Sequence, residues 1–311
     1  MLKKSLFILL LFLRMTVSAQ TDNSVFQFLR LPFSAHAAAL GGENISLIKD
    51  DLTMAANNPA LLSCVSDRSL NLNYMLYMQG THVASAAFSR MATDRASWGV
   101  TAQFLSYGKL RETTPDNITL GDFSPKDIAI GGMFSYDLSD YWSGGIRANL
   151  IYSKYGPYSS FAVGVDLGLN YYWQARDFSI SLVARNLGAQ IVAYDDLRER
   201  LPIDLQFGLT KRLAHAPVRI SATFYNLADW HDSNFLHHAV VGVDVLPTQN
   251  IFLGIGYNFQ RAAELKAAGS SHWAGVTAGA GIDIKRVKIA VAYGRYHLSA
   301  SSLVFNLSLT L

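Results

Sequence analysis

Few residues in this chain of 311 amino acids stand at spacings that support covalent chemistry. Ser106 and Lys109 match the S-x-x-K spacing of a serine nucleophile, but that chemistry also needs a Lys-Thr-Gly element, and none occurs. The G-x-G-x-x-G spacing of a dinucleotide site is also missing among the candidate glycines Gly254, Gly256, Gly279 and Gly281. The sequence therefore predicts neither an enzyme nor a cofactor.

A stretch rich in imidazole and carboxylate groups raises the question of a metal ion. It contains Asp229, His231, Asp232, His237 and His238. Zinc binds such ligands, but a solvated polar loop explains the same residues more simply. We predict no bound metal and leave the zinc alternative open.

Charged residues also recur at ordered positions in the second half of the chain. Their signs alternate on the polar faces of successive predicted strands, at Arg147, Asp166, Arg185, Asp204, Arg219 and Asp244. Opposite charges on neighbouring strands hold the strand register, which is the simpler explanation, or they line a pathway for a ligand. The residues alone leave both explanations open.

The composition points away from an ordinary cytosolic enzyme. The chain is 50% hydrophobic and 12% aromatic but only 16% charged, against about 25% in typical soluble domains. Its net charge of +3 is too balanced and too dispersed for a nucleic-acid partner. The single cysteine, Cys64, excludes an intramolecular disulfide framework.

The first residues have the pattern of an export signal. Lys3 and Lys4 precede an apolar stretch from Leu6 to Val17, and Ser18-Ala19 follows as a cleavage site. We predict a Sec signal peptide over residues 1–19. The mature protein is then exported, and no later apolar run is long enough for a helical membrane anchor.

From Leu70 onward, apolar and small or polar residues alternate in runs of about ten. Turn residues separate the runs, which is typical of strands. About fourteen strands are predicted, starting near Leu70, Val83, Trp98, Ile128, Trp142, Phe161, Phe178, Ile203, Val218, Ala239, Ile251, Trp273, Val287 and Leu303. An even number of such strands predicts an all-β fold, a transmembrane β-barrel of the bacterial outer membrane.

The connections and the tryptophans support the same fold. Short turns alternate with longer loops, among them 108–126, 154–160, 189–202, 228–236 and 260–272, as in barrels with short periplasmic turns and long outer loops. Trp98, Trp142 and Trp173 fall at the short-turn ends on the apolar faces, which predicts a periplasmic aromatic girdle.

Residues 20–66 do not alternate and have a different composition. An Ala-rich piece at 35–39 is predicted to form a short helix that Gly41 and Gly42 end, and Asn58-Pro59 a turn into the first strand. Small residues on the inward barrel face, such as Gly145, leave room for this segment. We predict an N-terminal hatch or plug over 20–66 and a barrel over 67–311.

The same segment carries a family resemblance. Gly41-Gly42, Asp51 and Asn58-Pro59-Ala60 look like the hatch signature of the fourteen-stranded FadL superfamily of outer-membrane fatty-acid transporters. More specifically, residues 28–32, 44–47, 72–74 and 107–109 resemble the PorQ family of the type IX secretion machinery of Bacteroidetes. That resemblance implies a relative of PorV in the attachment complex, which holds the surface protein PorZ while the sortase PorU processes cargo.

The sequence leaves three functions to compare: an anchor, a transporter and an enzyme. The favoured expectation is a non-enzymatic anchor whose outer loops dock a PorZ-like surface partner, with outer-membrane lipid and lipopolysaccharide around it. Basic rim residues, namely Lys109, Arg111, Arg198, Arg200 and Lys266, either meet lipopolysaccharide phosphates or form a solvated rim. The alternative is a FadL-like transporter of hydrophobic small molecules. An outer-membrane enzyme would need a convergent nucleophile and base, and the sequence shows none.

Overall fold

Fourteen antiparallel strands close into a barrel in the computed structural model. The structure describes residues 24–78, 80–114, 116, 118–228, 235–265, 273–297 and 300–311. The described residues form sixteen strands in all, because β4 and β5 lie outside the barrel. The strands are β1 (Ser69–Met78), β2 (Thr81–Thr93), β3 (Ala96–Ser106), β4 (Leu110–Thr113), β5 (Thr119–Phe123), β6 (Lys126–Asp137), β7 (Trp142–Tyr155), β8 (Tyr158–Trp173), β9 (Phe178–Val192), β10 (Asp204–Arg212), β11 (Val218–Phe224), β12 (Ala239–Thr248), β13 (Ile251–Asn258), β14 (Val276–Ile284), β15 (Val287–His297) and β16 (Ala300–Thr310).

Barrel closure joins the first strand to the last. β1 pairs with β16 in a register that places Ser69 opposite Thr310 and Leu76 opposite Leu303. β3 pairs directly with β6, because β4 and β5 form a separate hairpin in the connection between them. The predicted all-β barrel of fourteen strands is confirmed, and each predicted start lies within three residues of the observed one.

The period-two alternation becomes two chemically different barrel faces. Apolar side chains such as Val100, Ile130, Leu150 and Ile255 are exposed on the outside. Polar side chains between them are buried on the inside, as at Asn71, Asn149, Gln206 and Thr277. An apolar exterior on a sheet whose backbone groups are all paired is the arrangement that lipid requires.

The two barrel ends differ in their connections. At one end β6–β7, β8–β9 and β14–β15 are joined by two to four residues, and we call this the short-turn end. The opposite, outer end carries the connections 107–125, 193–203, 225–238 and 259–275. Bacterial barrels place short turns in the periplasm and long loops outside.

Two predicted connections differ from the structure. The loop expected over 154–160 is only a two-residue turn, because Tyr155 pairs with Tyr158 and the positive φ of 57° at Gly156 permits the tight reversal. The loop expected over 108–126 contains the β4–β5 hairpin, whose strands are four and five residues long and too short for the ten-residue pattern.

Residues 24–66, called the N-terminal segment below, form short helices. These are the 3₁₀ turn Gln27–Arg30, α1 (Ala35–Ala39), α2 (Leu52–Asn57) and the 3₁₀ helix Pro59–Cys64. The helix predicted in the Ala-rich piece is present, and Gly41 and Gly42 follow it with φ of 105° and 101°. Asn58-Pro59 does not make a plain turn, because the Asn58 side chain caps the Pro59–Cys64 helix.

The N-terminal segment packs against inward faces on several sides of the barrel. A Cβ at Gly145 or Gly168 would overlap Pro59 or Asn58, and one at Gly208 would lie 2.6 Å from Ile45. Across the lumen, a Cβ at Gly279 would lie 2.6 Å from Ala39. Small inward residues thus make the space that this segment occupies.

Some predictions fall outside the described residues. They include the signal peptide over 1–19, Asp229, His231 and Asp232 of the candidate metal loop, and Lys266. The domain boundaries at 19/20 and 66/67 stay predictions. Within the described ranges, no helix combines the length and the apolar character needed to cross a membrane.

We expect Gly145→Ala to weaken docking of the N-terminal segment by about 1–3 kcal/mol, because the added methyl group meets the Pro59 backbone. Limited proteolysis of the segment in the detergent-solubilised barrel measures this. Gly132→Ala is the control, since a Cβ there has no atom within 4 Å. Equal proteolysis of the two variants would contradict the close packing.

Candidate functional site

Asp244 on β12 joins the N-terminal segment to the barrel wall. Its carboxylate accepts hydrogen bonds from Arg219 Nε at 3.0 Å and Nη2 at 2.6 Å, on the neighbouring strand. His36 of α1 lies with Nε2 3.1 Å from both carboxylate oxygens. The His36 ring also stacks on Phe252, with centroids 3.6 Å apart. Arg219 and Asp244 therefore form a pair across strands, and the pair also holds His36.

The imidazole of His36 is almost completely buried, at 1% exposure. Burial lowers its pKa below the ordinary value of 6.5, and this outweighs the attraction of Asp244. A neutral ring with a proton on Nε2 donates to the carboxylate and leaves Nδ1 as an acceptor without a partner. Burial of the docked His36 ring therefore favours its neutral form.

Arg147 and Asp166 face each other on β7 and β8. Arg147 Nε lies 3.1 Å from Asp166 Oδ2, and both side chains are buried. Arg147 also donates from Nη1 to the Ala56 carbonyl at 2.8 Å, at the end of α2. Asp166 Oδ1 accepts from the Asn186 backbone N–H at 2.7 Å, beside the irregular register of β8 and β9. This pair also connects the wall to the N-terminal segment.

The expected pair of Arg185 with Asp204 needs correction. The two residues are opposite each other in the register of β9 and β10. Arg185 Nη1 nevertheless contacts Glu43 Oε2 at 3.4 Å, while Asp204 accepts from Gln206 Nε2 and from the Asn226 backbone, both at 2.6 Å. Glu43 of the N-terminal segment competes for the guanidinium, and no strand pattern could show that.

The hatch-like residues each have a local structural role. The Gly41 N–H donates to Thr277 Oγ1 at 2.8 Å, and Gly42 lies against Arg261 and Tyr296. Asp51 caps α2 through the Thr53 N–H. Asn58 makes two further contacts: its Nδ2 donates to the Ile45 carbonyl at 2.8 Å, and its Oδ1 accepts from the Ala60 N–H. Pro59 packs on Gly145.

Sequence reasoning missed several charged contacts of the same segment. Lys49 pairs with Asp283 at 3.2 Å, and Lys288 pairs with Asp50 at 2.6 Å. Asp283 and Lys288 are directly opposite each other on β14 and β15, which is a signal that the strand pattern contains. Nothing in the sequence connects them with residues more than 230 positions earlier.

The predicted tryptophans all lie at the short-turn end. Trp98 and Trp142 are 39% and 43% exposed on the outer face. Trp173 ends β8, and the Arg176 guanidinium lies 4.2 Å from its ring centroid. This placement matches the depth at which amphipathic rings favour a membrane interface.

A cavity of about 400 Å³, called the outer pocket below, opens at the outer end. Its wall combines the start of the N-terminal segment with the ends of strands and loops: Val25, Phe26, Gln27, Tyr107, Asp127, Tyr155, Tyr158 and Tyr194. Ring centroids are 5.5 Å apart for Tyr107 and Tyr155, 5.8 Å for Tyr155 and Tyr194, and 6.3 Å for Phe26 and Tyr194. Sequence reasoning did not find this pocket, because its parts come from five separate stretches.

No metal site takes shape among the described residues. Nowhere in those ranges do three or more His, Cys, Asp or Glu side chains come together as ligands. His237 and His238 lie in a 3₁₀ turn that precedes β12. The other three residues of the candidate metal loop are outside the described ranges.

The barrel is similar to solved structures of outer-membrane channels. A TodX mutant, a monoaromatic hydrocarbon channel, has a TM-score of 0.62 at 15% identity over 90% of this chain and 99% of that one. TbuX, a toluene transporter of Ralstonia pickettii, has 0.59 at 11% identity over 92% and 100%. A Pseudomonas aeruginosa FadL homologue has 0.55 at 13% identity over 88% and 97%. No family model and no curated protein matches the chain. The likeness establishes a barrel fold of the FadL type.

Removing the Asp244 carboxylate should have a large effect. We expect Asp244→Ala to cost about 3–5 kcal/mol of stability, because Arg219 stays buried without its partner. Thermal unfolding followed by heat-modifiable gel migration measures the change. Asp283→Asn is the control, since its pair with Lys49 is partly exposed and should cost about 1 kcal/mol or less. Similar losses in both variants would show that burial does not set the strength of these pairs.

Acidification should loosen the N-terminal segment through His36. Since the docked state lowers the pKa of His36, docking is most stable above pH 6.5 and weakens as the pH falls below it. Protease accessibility of the segment should rise between pH 8 and pH 5, by at most about tenfold per pH unit for one proton. Cleavage that rises no more steeply on acidification in the wild type than in a variant without the imidazole would contradict this.

The His36→Gln variant isolates the contribution of that one residue. Glutamine donates to Asp244 without titrating, so the rise should flatten. Burial raises the pKa of Glu43, which gives the opposite sign, but Glu43 is present in both proteins and cancels. An equal rise in His36→Gln would assign the pH effect to another group.

Proposed function

We propose that the chain is an outer-membrane barrel that takes up hydrophobic small molecules, and that the outer pocket is the site where such a molecule first binds. The observation that carries the proposal is the outer pocket itself. A volume of about 400 Å³ lies in the range of small-molecule sites, and an aromatic wall suits an apolar ligand. Its opening at the outer end fits a ligand that arrives from outside.

The relatives in fold support the same class of ligand. TodX and TbuX are a monoaromatic hydrocarbon channel and a toluene transporter. None of the three compared proteins is an enzyme by its description, which agrees with the absence of a nucleophile and base in the sequence.

Passage beyond the outer pocket requires the N-terminal segment to move. This segment is the hatch of our proposal, and most residues from α1 to the Pro59–Cys64 helix are buried in the lumen. The contacts of His36, Glu43 and the Ala56 carbonyl with the wall would then have to break or rearrange. Uptake is therefore expected to be slow unless binding shifts the hatch.

Filling the outer pocket should abolish binding. Gln27 lies at its wall with an exposed side chain, so Gln27→Trp places an indole in the cavity. We expect toluene affinity to fall at least about tenfold, equivalent to about 1.4 kcal/mol, in calorimetric titration of the purified barrel. Ser159→Trp, at an exposed position of the same rim, is the control. Unchanged toluene binding in Gln27→Trp would remove the outer pocket from the proposal.

A second candidate function is an anchor of the type IX secretion machinery, as in the PorQ family. Its support is the resemblance of residues 28–32, 44–47, 72–74 and 107–109, together with a hatch that several ion pairs hold in place. The β4–β5 hairpin offers a docking element for a PorZ-like partner, and exposed Ile118 and Leu120 border or lie within it. PorU, PorV and lipopolysaccharide are further partners under this hypothesis.

The two functions predict different effects of deleting the hairpin. Replacing residues 110–123 with a short Gly-Ser linker should release a surface partner from the outer membrane if the protein is an anchor. Toluene binding should persist in the same variant, because the outer pocket keeps its lining residues. Retention of surface proteins in that variant would contradict the anchor.

A further inference from the structure

Asp127 is a buried carboxylate at the inner wall of the outer pocket. Its side chain is on β6, one residue from the outer end of the strand, and the residue is only 3% exposed. The hydroxyl of Tyr107 donates to it at 2.8 Å, and the hydroxyl of Ser153 also donates to it. Within the ranges that the structure describes, no Lys, Arg or His lies within ion-pair distance of Asp127.

This carboxylate differs from most buried acids of the lumen. Asp204 also makes no ion pair among the described residues, but it accepts from Gln206 and the Asn226 backbone and does not line the outer pocket. Asp166 and Asp244 each have an arginine at 3.1 Å or less, and Glu43 contacts Arg185 at 3.4 Å. A buried charge without an opposite charge is costly, even with hydroxyl donors. The missing positive charge would come from whatever occupies the cavity beside it.

Aromatic rings make up most of the remaining wall. Tyr107, Tyr155 and Tyr194 are in successive ring contact, and Phe26 continues the series. Ring faces carry negative potential and attract cations, most strongly where water is excluded. Several rings around one acid are the chemistry by which proteins bind quaternary ammonium groups.

One of these aromatic residues, Phe26, has an unfavourable backbone conformation. Phe26 has φ of 60° and ψ of 42°, a left-handed conformation that is unusual for a bulky residue. The neighbouring Val25 N–H donates to the Arg200 carbonyl at 3.0 Å, which fixes the chain at the loop. Such strain persists where surrounding structure demands a particular side-chain position.

We propose that the outer pocket binds an organic cation, a small tertiary or quaternary ammonium group carried on an apolar body. This inference rests on the proposed function, because it names the ligand class of the same pocket. Asp127 supplies the counter-charge, the rings surround the ammonium methyl groups, and the apolar body fills the rest of the cavity. A neutral hydrocarbon would fill the space but would offer no opposite charge to the Asp127 carboxylate.

The test compares two ligands of nearly equal shape. Benzyltrimethylammonium and neopentylbenzene differ only in a positive nitrogen in place of a carbon atom. Calorimetric titration uses the purified full chain in a maltoside detergent, since amine-oxide and phosphocholine detergents would compete. We expect the wild type to bind the cation at least about tenfold more tightly than the isostere, a difference of about 1.4 kcal/mol.

Charge and ring variants separate the contributions. Asp127→Asn should lose at least about tenfold in affinity for the cation and keep the affinity for neopentylbenzene, which also reports a folded pocket. Asp122→Asn, an exposed acid of the β4–β5 hairpin, is the control for general electrostatic attraction and should change neither. If Asp127→Asn fails to fold, Tyr158→Leu removes a ring and keeps the acid, and should weaken only cation binding.

The outcomes distinguish this inference from the proposed function. Tight binding of neopentylbenzene with equal or weaker binding of the cation would overturn the inference and leave hydrophobic uptake standing. Unchanged cation affinity in a folded Asp127→Asn variant would overturn it as well. Failure of both ligands to bind the wild type would overturn the inference and the pocket-based proposal together.

Discussion

Every polar backbone group that faces lipid needs a partner inside the protein, and this requirement governs the whole structure. A closed antiparallel sheet satisfies it because no strand has a free edge. Here closure depends on the pairing of β1 with β16, fourteen strands around the ring. Since side chains alternate across the sheet, an apolar exterior necessarily comes with a second, inward face, and that face is polar.

The polar inward face explains why the N-terminal segment docks inside the barrel. A lumen that encloses Arg147, Asp244 and Arg185 needs partners for those charges, and strands supply only some of them. His36, Glu43 and the Ala56 carbonyl supply others from a separate part of the chain. The segment also fills space where the wall has glycines, so electrostatics and packing select the same docked position.

The outer pocket lies where the N-terminal segment no longer fills the lumen. At the outer end the segment contributes Val25, Phe26 and Gln27 to the pocket wall, and tyrosines from strand ends and loops complete the wall. Within the described part of the chain, a buried acid without an ion pair lies there beside several rings and an open volume, whereas Asp166 and Asp244 are each paired with an arginine. Binding at this position and movement of the segment are physically connected, because the segment forms part of the pocket wall.

The sequence by itself determined the barrel, its strand number and two of the cross-strand charge pairs. Alternation and turn residues are local, so Arg147 opposite Asp166 and Arg219 opposite Asp244 follow from pattern and register alone. Only the tertiary structure decided that Arg185 contacts Glu43, that His36 contacts Asp244, and that four other stretches of the chain line the outer pocket together with Asp127. These contacts join residues up to 208 positions apart. Which carboxylate pairs with the Arg185 guanidinium depends on distances and burial in the folded lumen, and no local sequence pattern contains that information.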